Sequence, residues 1–423
     1  MIIHSASQLL TLKGGPQRGE SLGQLSLIKD GAVLVQEGVI KETGKTAELL
    51  AAYPEENGLD AGNQVVMPGF VDPHTHLVWA GDRASEFELR VQGKSYQEIM
   101  AAGGGIVSTV KKTRSASPDE LKTESRMRLQ TQLKHGTTTL EAKTGYGLNL
   151  ETELKMLQVL LELDQEGPLD LELTFLAAHA VPEEYSGKTQ AYTDLVSEEM
   201  LPALARWWPE QTSKPLPYVD IFCETGAFDL DQSRQVLEKA LDLGFRIKIH
   251  ADEFDNLGGA ALAAELGAAS ADHLVVTSSR DLELLGQSDT VAVSLPCTPF
   301  GLGHQEYTPA GEILKADGLL AIATDLNPGT AWCESMQFAI ALACRYLHLT
   351  PAQAIAAATI NAAAAVDRED QVGSLEAGKQ ADILILDVPD FRHLGYRFGS
   401  NLVRTVIKKG NLVWERRKNE LIG

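Results

Sequence analysis

Between about residue 66 and residue 375 the chain alternates short apolar runs with longer segments of helical periodicity. Eight strand-like runs stand out: VVMPGFVDPHTHL, GTTTLEAKTGYG, LDLELTFLAAHA, YVDIFCE, FRIKIHADE, AASADHLVV, TVAVSLPC and LLAIATDLNPG. Between them, apolar residues fall three and four apart, as Leu154, Leu157 and Leu161 do in ETELKMLQVLLEL. Another such segment, DQSRQVLEKALDLG, ends on Gly244 as helices often do. Eight strand-then-helix units in succession predict an α/β fold, a (β/α)8 TIM-like barrel over 66–375, rather than an open sheet around a phosphate loop. No GxGxxG or Walker A run is present. The one glycine triplet, Gly103-Gly104-Gly105, is not fed by a strand and predicts a flexible loop over the barrel mouth.

The two chain ends have a different rhythm. Residues 1–65 carry short β-type runs broken by turn residues, and Asp30-Gly31 sits between apolar segments as a hairpin turn would. The same texture returns only in GSLEAGKQADILILDVPD and NLVRTVIKKGNLVWE. Residues 1–65 and 376–423 are therefore expected to share a discontinuous β-sandwich domain, with the barrel inserted between them.

Composition narrows the function classes. At 423 residues the chain exceeds the ~250–300 at which a single core usually stops growing, in keeping with a barrel plus an accessory part. Its 37 basic against 58 acidic residues give a net charge of −21, the wrong sign for a nucleic-acid backbone or an anionic membrane. Four cysteines without CxxC spacing read as reduced thiols, which predicts a cytoplasmic address. The N-terminus lacks the basic and apolar regions of a signal peptide, and no run approaches ~18 uninterrupted apolar residues, so no membrane span is expected.

Five of the ten histidines lie at or near the C-terminal ends of proposed strands: His74 and His76 on the first, His179 on the third, His250 on the fifth and His273 on the sixth. In a (β/α)8 barrel these ends form the active face, so the imidazoles converge on one cavity. His74 and His76, two apart on a strand, project from one face and can share an ion. An isolated HxH means little. Joined by His250 and by Asp325 of the eighth strand, it becomes a nitrogen-and-oxygen donor set suited to zinc or iron(II). Four protein ligands alone would close a structural site, but the convergence of loops at this face favours a catalytic ion with a further position for water.

Glu253 and His273 stand beside this set, and together they are the parts needed to move a proton to a leaving nitrogen and to polarise a carbonyl. Either alone could equally be a loop residue bonded to backbone. His4, His135, His348 and His393 read as solvated or structural, and His304 in GLGHQEY has no assigned role. Lys248 shares parity with His250 and should point inward, where a buried ammonium needs a carboxylate. Glu224, at the end of the neighbouring strand, is the first choice of partner and Glu141 the second; a tilted strand that lets Lys248 reach solvent is the alternative.

With PGFVDPHTH, the fifth- and sixth-strand histidines, the eighth-strand aspartate and the split β domain, the sequence resembles the metal-dependent amidohydrolases over essentially its whole length. The longer segments AGDRASEFELRVQGKSYQEIMAAGGGI, EAKTGYGL, AAHAVP, HADEF and ATDLNPGT resemble the members that open a lactam ring in histidine degradation. The resemblance implies a small-molecule substrate, 4-imidazolone-5-propanoate, opened by water to N-formimidoyl-L-glutamate. It implies that His74, His76, His250 and Asp325 bind one Zn2+ or Fe2+/Fe3+ per chain, and that Arg83, Tyr146 and His179, with Tyr96, hold the substrate. Glu253 and His273 would serve proton transfer and the oxyanion, Asp325 would take the proton of the attacking water, and Asn327, Gly329 and Thr330 would line the far side. Members with two metals place a carboxylated lysine at the end of the fourth strand, where this chain has Cys223-Glu224, so one metal is expected. Pro73 within PHTH departs from the small residue or cysteine also compatible there and leaves both ligands in place. Neither nucleic acid nor membrane is an expected partner, and a homodimer is left open. Two other readings stand beside this one: a deaminase of an aminated heterocycle, using nearly the same groups, and a non-catalytic amidohydrolase-like assembly protein, which would be free to lose ligands that this chain keeps.

Overall fold

In the computed structural model, which describes residues 1–94 and 104–416, the chain ends pair with one another to form one sheet. Its N-terminal strands are β1 (Ile2–Leu10), β2 (Leu27–Gln36), β3 (Val39–Lys45), β4 (Gly58–Asp60) and β5 (Val65–Pro68). The barrel follows as β6 (Phe70–Asp72), β7 (Thr137–Lys143), β8 (Asp170–Ala178), β9 (Tyr218–Cys223), β10 (Arg246–Ala251), β11 (Ser270–His273), β12 (Val291–Ser294) and β13 (Leu320–Ile322). The chain then returns to the first sheet with β14 (Ile383–Leu386), β15 (Val403–Lys408) and β16 (Asn411–Glu415).

The terminal sheet has the order β16-β15-β14-β5-β1-β2-β3, with β4 on β1. The sandwich expected of the chain ends takes the form of one continuous sheet. Hydrogen bonds from Ile40 to Lys379 and from Ala381 to Gly38 bring its β3 edge back to the segment before β14, around a core that includes Ile3, Val33, Ile383 and Ile407. The hairpin turn expected at Asp30-Gly31 is absent: β2 runs through both residues, and the chain reverses at Glu37-Gly38, whose φ angles of 53° and 79° suit a tight hairpin. Gly31 serves close strand approach instead, since a Cβ there would lie 2.5 Å from Leu9 Cβ.

β6 to β13 are parallel and follow one another in chain order around the barrel. The wall closes through a parallel bridge between Thr75 and Leu326, with His76 N donating to Leu326 O (2.8 Å) and Asp325 N to His74 O (3.1 Å). The closing seam is thus made by the residues of the HxH motif and the eighth-strand aspartate. The apolar run read as the first barrel strand is divided at Gly69: β5 belongs by its hydrogen bonds to the terminal sheet and β6 to the barrel. A Cβ at Gly69 would collide with Thr138, 2.2 Å from its Oγ1, so only glycine fits where the chain changes sheets.

The helices start where local chemistry dictates. Ahead of Leu230–Asp242, Asp229 Oδ1 accepts from Gln232 N (2.8 Å) while Gln232 Oε1 accepts from Asp229 N (3.1 Å), a reciprocal cap. Val236, Leu237 and Ala240 then face the barrel, and Gly244 (φ 86°) follows the helix. Of the glycine triplet, Gly103 lies outside the described residues, and Gly105 caps the helix Ile106–Ser115. At the N-terminal end of the barrel strands, Asp170 accepts from Lys408 (2.8 Å) and Lys409 (2.6 Å), which ties β8 to β15 and leaves the opposite end open for chemistry. No helix among the described residues is long and apolar enough to cross a membrane.

Candidate active site

At the C-terminal end of the barrel strands, His74, His76 and His250 are buried and offer ligand atoms that all lie within 4.8 Å of one another. Asp325 Oδ1 stands 3.4 Å from His74 Nε2 and 3.5 Å from His76 Nε2, so the four predicted ligands share one focus. Burial, with the neighbouring cations and imidazoles, holds His74, His76 and His273 well below the usual histidine range, as neutral rings. His74 Nε2 and His250 Nε2 are buried without a hydrogen-bond partner. Such orphaned atoms normally cost ~1–3 kcal/mol each, and a cation at their common focus would satisfy them. Three imidazoles and one carboxylate suit zinc or iron, so the residues present fit a metal ion.

The histidines are aimed from below. His74 Nδ1 lies 2.6 Å from Asp272 Oδ2, and His250 Nδ1 lies 3.0 Å from Asp220 Oδ2. A carboxylate behind Nδ1 favours the tautomer that leaves Nε2 free to bind a metal. Both carboxylates rest on Lys143, whose Nζ donates to Asp220 Oδ2 (2.7 Å) and Glu141 Oε1 (2.8 Å) and lies 3.6 Å from Asp272 Oδ2. Sequence reasoning passed over Lys143, Asp220 and Asp272, although charges at buried positions of apolar strands were the signal available.

Lys248 points into the barrel as its parity predicted, but its partner is not Glu224. Its Nζ donates to Pro73 O (3.2 Å) and lies 3.3 Å from Glu141 Oε1, across the interior. Glu224 is already taken: it accepts from the amides of Thr225 (2.8 Å), Phe254 (2.9 Å) and Asp255 (3.1 Å), and so anchors the loop that carries Glu253.

Glu253 Oε2 lies 3.7 Å from His273 Nε2, and burial together with the nearby carboxylates of Asp325 and Glu224 raises the Glu253 carboxyl well above its usual range. Burial likewise raises Asp325 to about 6, against the opposing effect of the Thr298 hydroxyl, which donates to its Oδ2. His273 (φ 78°), Asp325 (φ 52°) and Asp252 (φ 54°) all adopt the left-handed backbone region that L residues avoid. Such conformations cost ~1–3 kcal/mol apiece and gather at functional sites.

On one flank, His179 stacks on His76 (ring centroids 4.8 Å, planes 15° apart), and Tyr146 approaches both rings at 5.3 and 5.8 Å. Burial lowers His179 to about 3 and raises the Tyr146 hydroxyl. The loop bearing Tyr146 is pinned by Glu153, which accepts from the amides of Gly145, Gly147 and Leu148 at 3.0, 2.7 and 2.7 Å. On the other flank, Asn327 Oδ1 accepts from Gly329 N and Thr330 N (both 2.8 Å), forming a tight turn against the guanidinium of Arg83. Arg83 also pairs with Glu86 (2.9 Å). Tyr96 lies outside the described residues, and His304 is exposed, in edge contact with Phe254.

A (β/α)8 barrel with this donor set defines a class: residues 65–413 match the model of the Amidohydrolase family. Residues 31–55 match an imidazolonepropionase-like composite domain of bacteria. The chain is 53% identical to an imidazolonepropionase from Herpetosiphon aurantiacus over 99% of its own length and 98% of the relative's. It is 46% identical to one from Symbiobacterium thermophilum, with the same coverage. The chain therefore belongs to the imidazolonepropionase family of amidohydrolases. Among solved structures it superposes on a 5-methylcytosine deaminase from Klebsiella pneumoniae with a TM-score of 0.73 at 19% identity, covering 99% and 98% of the two chains. A guanine deaminase from Bradyrhizobium japonicum gives 0.71 at 16% identity, covering 99% of each. At such identities the likeness concerns the fold alone.

Proposed function

We propose that this chain adds water across the lactam C–N bond of 4-imidazolone-5-propanoate, a step of L-histidine degradation, and releases N-formimidoyl-L-glutamate. The observation that carries the reading is the convergence of His74, His76, His250 and Asp325 on one focus, with Tyr146 beside His76 and Arg83 near enough to act on the Tyr146 hydroxyl, in a chain with full-length imidazolonepropionase relatives. One Zn2+ or Fe2+/Fe3+ held by those four residues would supply Lewis acidity and a water activated near neutral pH.

The remaining work falls to the protein. Arg83 presents a planar guanidinium to the substrate's propionate, a geometry that carboxylates bind through two parallel hydrogen bonds. Tyr146 and His179 wall the ring. Asp325 Oδ1 takes the proton lost by the attacking water, and the neutral imidazole of His273 donates to the carbonyl oxygen as it gains charge. Glu253, kept protonated by its burial, delivers a proton to the ring nitrogen as the C–N bond breaks. Hydroxide ends on carbon and hydrogen on nitrogen; Asp325 then gives its proton to solvent and Glu253 takes one from it, so both groups are restored and the atoms of one water are accounted for. Incubation of the metal-loaded protein with 4-imidazolone-5-propanoate should yield one formimidoylglutamate per substrate consumed; a protein that binds zinc or iron stoichiometrically and leaves the substrate intact would contradict the reading.

A further inference from the structure

We infer that Arg90 is a positioning residue of the carboxylate subsite: it holds the Asn327–Thr330 turn against Arg83 and adds a second positive charge where an anionic substrate enters. The inference rests on the carboxylate-bearing substrate proposed above. Arg83 caps the helix Ala84–Val91, and Arg90 stands seven residues further on, two helical turns away and on the same face. Its Nη2 donates to Gly329 O (2.9 Å). From the other side, a Cβ on Gly329 would lie 2.3 Å from Arg83 Nη1, so this glycine's backbone is gripped between two guanidinium groups. Gly329 N donates to Asn327 Oδ1 (2.8 Å), and Asn327 Nδ2 donates to Asp325 O (2.7 Å), so the turn that Arg90 holds is continuous with the eighth-strand aspartate.

Charge supports the same assignment. Arg83 pairs with Glu86, whereas Arg90 has no ion-pair partner among the described residues. Burial and the like charge of Arg83 hold the Arg90 guanidinium below its usual range, while Glu86 opposes the shift. With only Glu86 beside them, the two guanidinium groups leave a net positive charge at Gly329 that a substrate carboxylate would balance. On a chain of net charge −21, a local positive field is also what an anionic substrate needs to approach.

The test uses the metal-loaded full chain with 4-imidazolone-5-propanoate. Arg90→Met should raise KM about ten-fold with kcat within about two-fold, the loss of one charge-assisted contact. Arg90→Lys, which keeps the charge and one donor, should recover much of the loss, and the salt dependence of KM should be shallower in Arg90→Met than in the wild type. A residue that merely closes the helix would lower kcat through the active fraction and leave KM alone. Wild-type turnover with KM unchanged in Arg90→Met would overturn this inference only; absence of wild-type turnover would overturn the substrate reading, and this inference with it.

Discussion

Beneath the histidines, Lys143, Lys248, Glu141, Asp220 and Asp272 are buried in the barrel, and nearly all their polar atoms have partners; only Glu141 Oε2 and Asp272 Oδ1 lack one. One layer above, the focal nitrogens of His74 and His250 have none. Both layers are polar and buried, yet in one the protein itself satisfies all but two atoms and in the other the nitrogens at the focus are left open. Buried polar groups ordinarily find partners, so the open layer marks where a ligand belongs and the closed layer is its support. The lower layer orients Nδ1 of two histidines and, through Lys248 and Pro73 O, fixes the backbone just before His74.

This contrast can be broken from either side. The largest effect is expected in the upper layer: His250→Ala should lose the bound metal, and activity with it, as read by elemental analysis of the purified protein. Full occupancy in that variant would remove His250 from the ligand set. Glu253→Gln should keep the metal and lose about 10²–10⁴ in kcat, the usual contribution of a positioned acid. Loss of metal in that variant would instead make Glu253 a ligand. In the lower layer, Lys143→Met should cost about 3–5 kcal/mol in chemical denaturation of the metal-free protein, because it strands buried carboxylates. A metal-free stability equal to the wild type would show that the layer carries no such burden. The smallest effect belongs to the rim, where Arg83→Lys should raise KM about ten-fold with metal retained, because an ammonium cannot reproduce the paired geometry of a guanidinium. Unchanged kinetics would make Arg83 an ordinary surface partner of Glu86.

The upper layer was the more legible in the sequence. Strand ends announce themselves by an apolar run that stops, and the parity of residues on a strand tells which side chains point inward, so the sequence alone gathers His74, His76, His250 and Asp325. The lower layer was harder because its contacts cross the interior. Chain order gives neighbours along the wall, which favours Glu224 on the adjacent strand as the partner of Lys248; its neighbour is instead the second choice, Glu141 on the second strand, and Glu224 spends its oxygens on loop amides. Asp30-Gly31 misled for another reason. The dipeptide has turn chemistry, but at this position glycine answers a steric demand from Leu9 within a continuing strand. The pairing of Arg90 with Gly329 joins a helix near the first strand to the turn after the eighth, a contact that no local pattern encodes.

Ring opening retains the nitrogen, so ammonia and formimidoylglutamate followed in the same reaction distinguish it from deamination. Deaminases share the fold and release ammonia from an exocyclic amino group, whereas lactam opening leaves the departing nitrogen tethered in the product. The metal-loaded protein should convert 4-imidazolone-5-propanoate to formimidoylglutamate without ammonia and leave guanine untouched. Stoichiometric ammonia from guanine, with 4-imidazolone-5-propanoate unconsumed, would make the protein a deaminase instead.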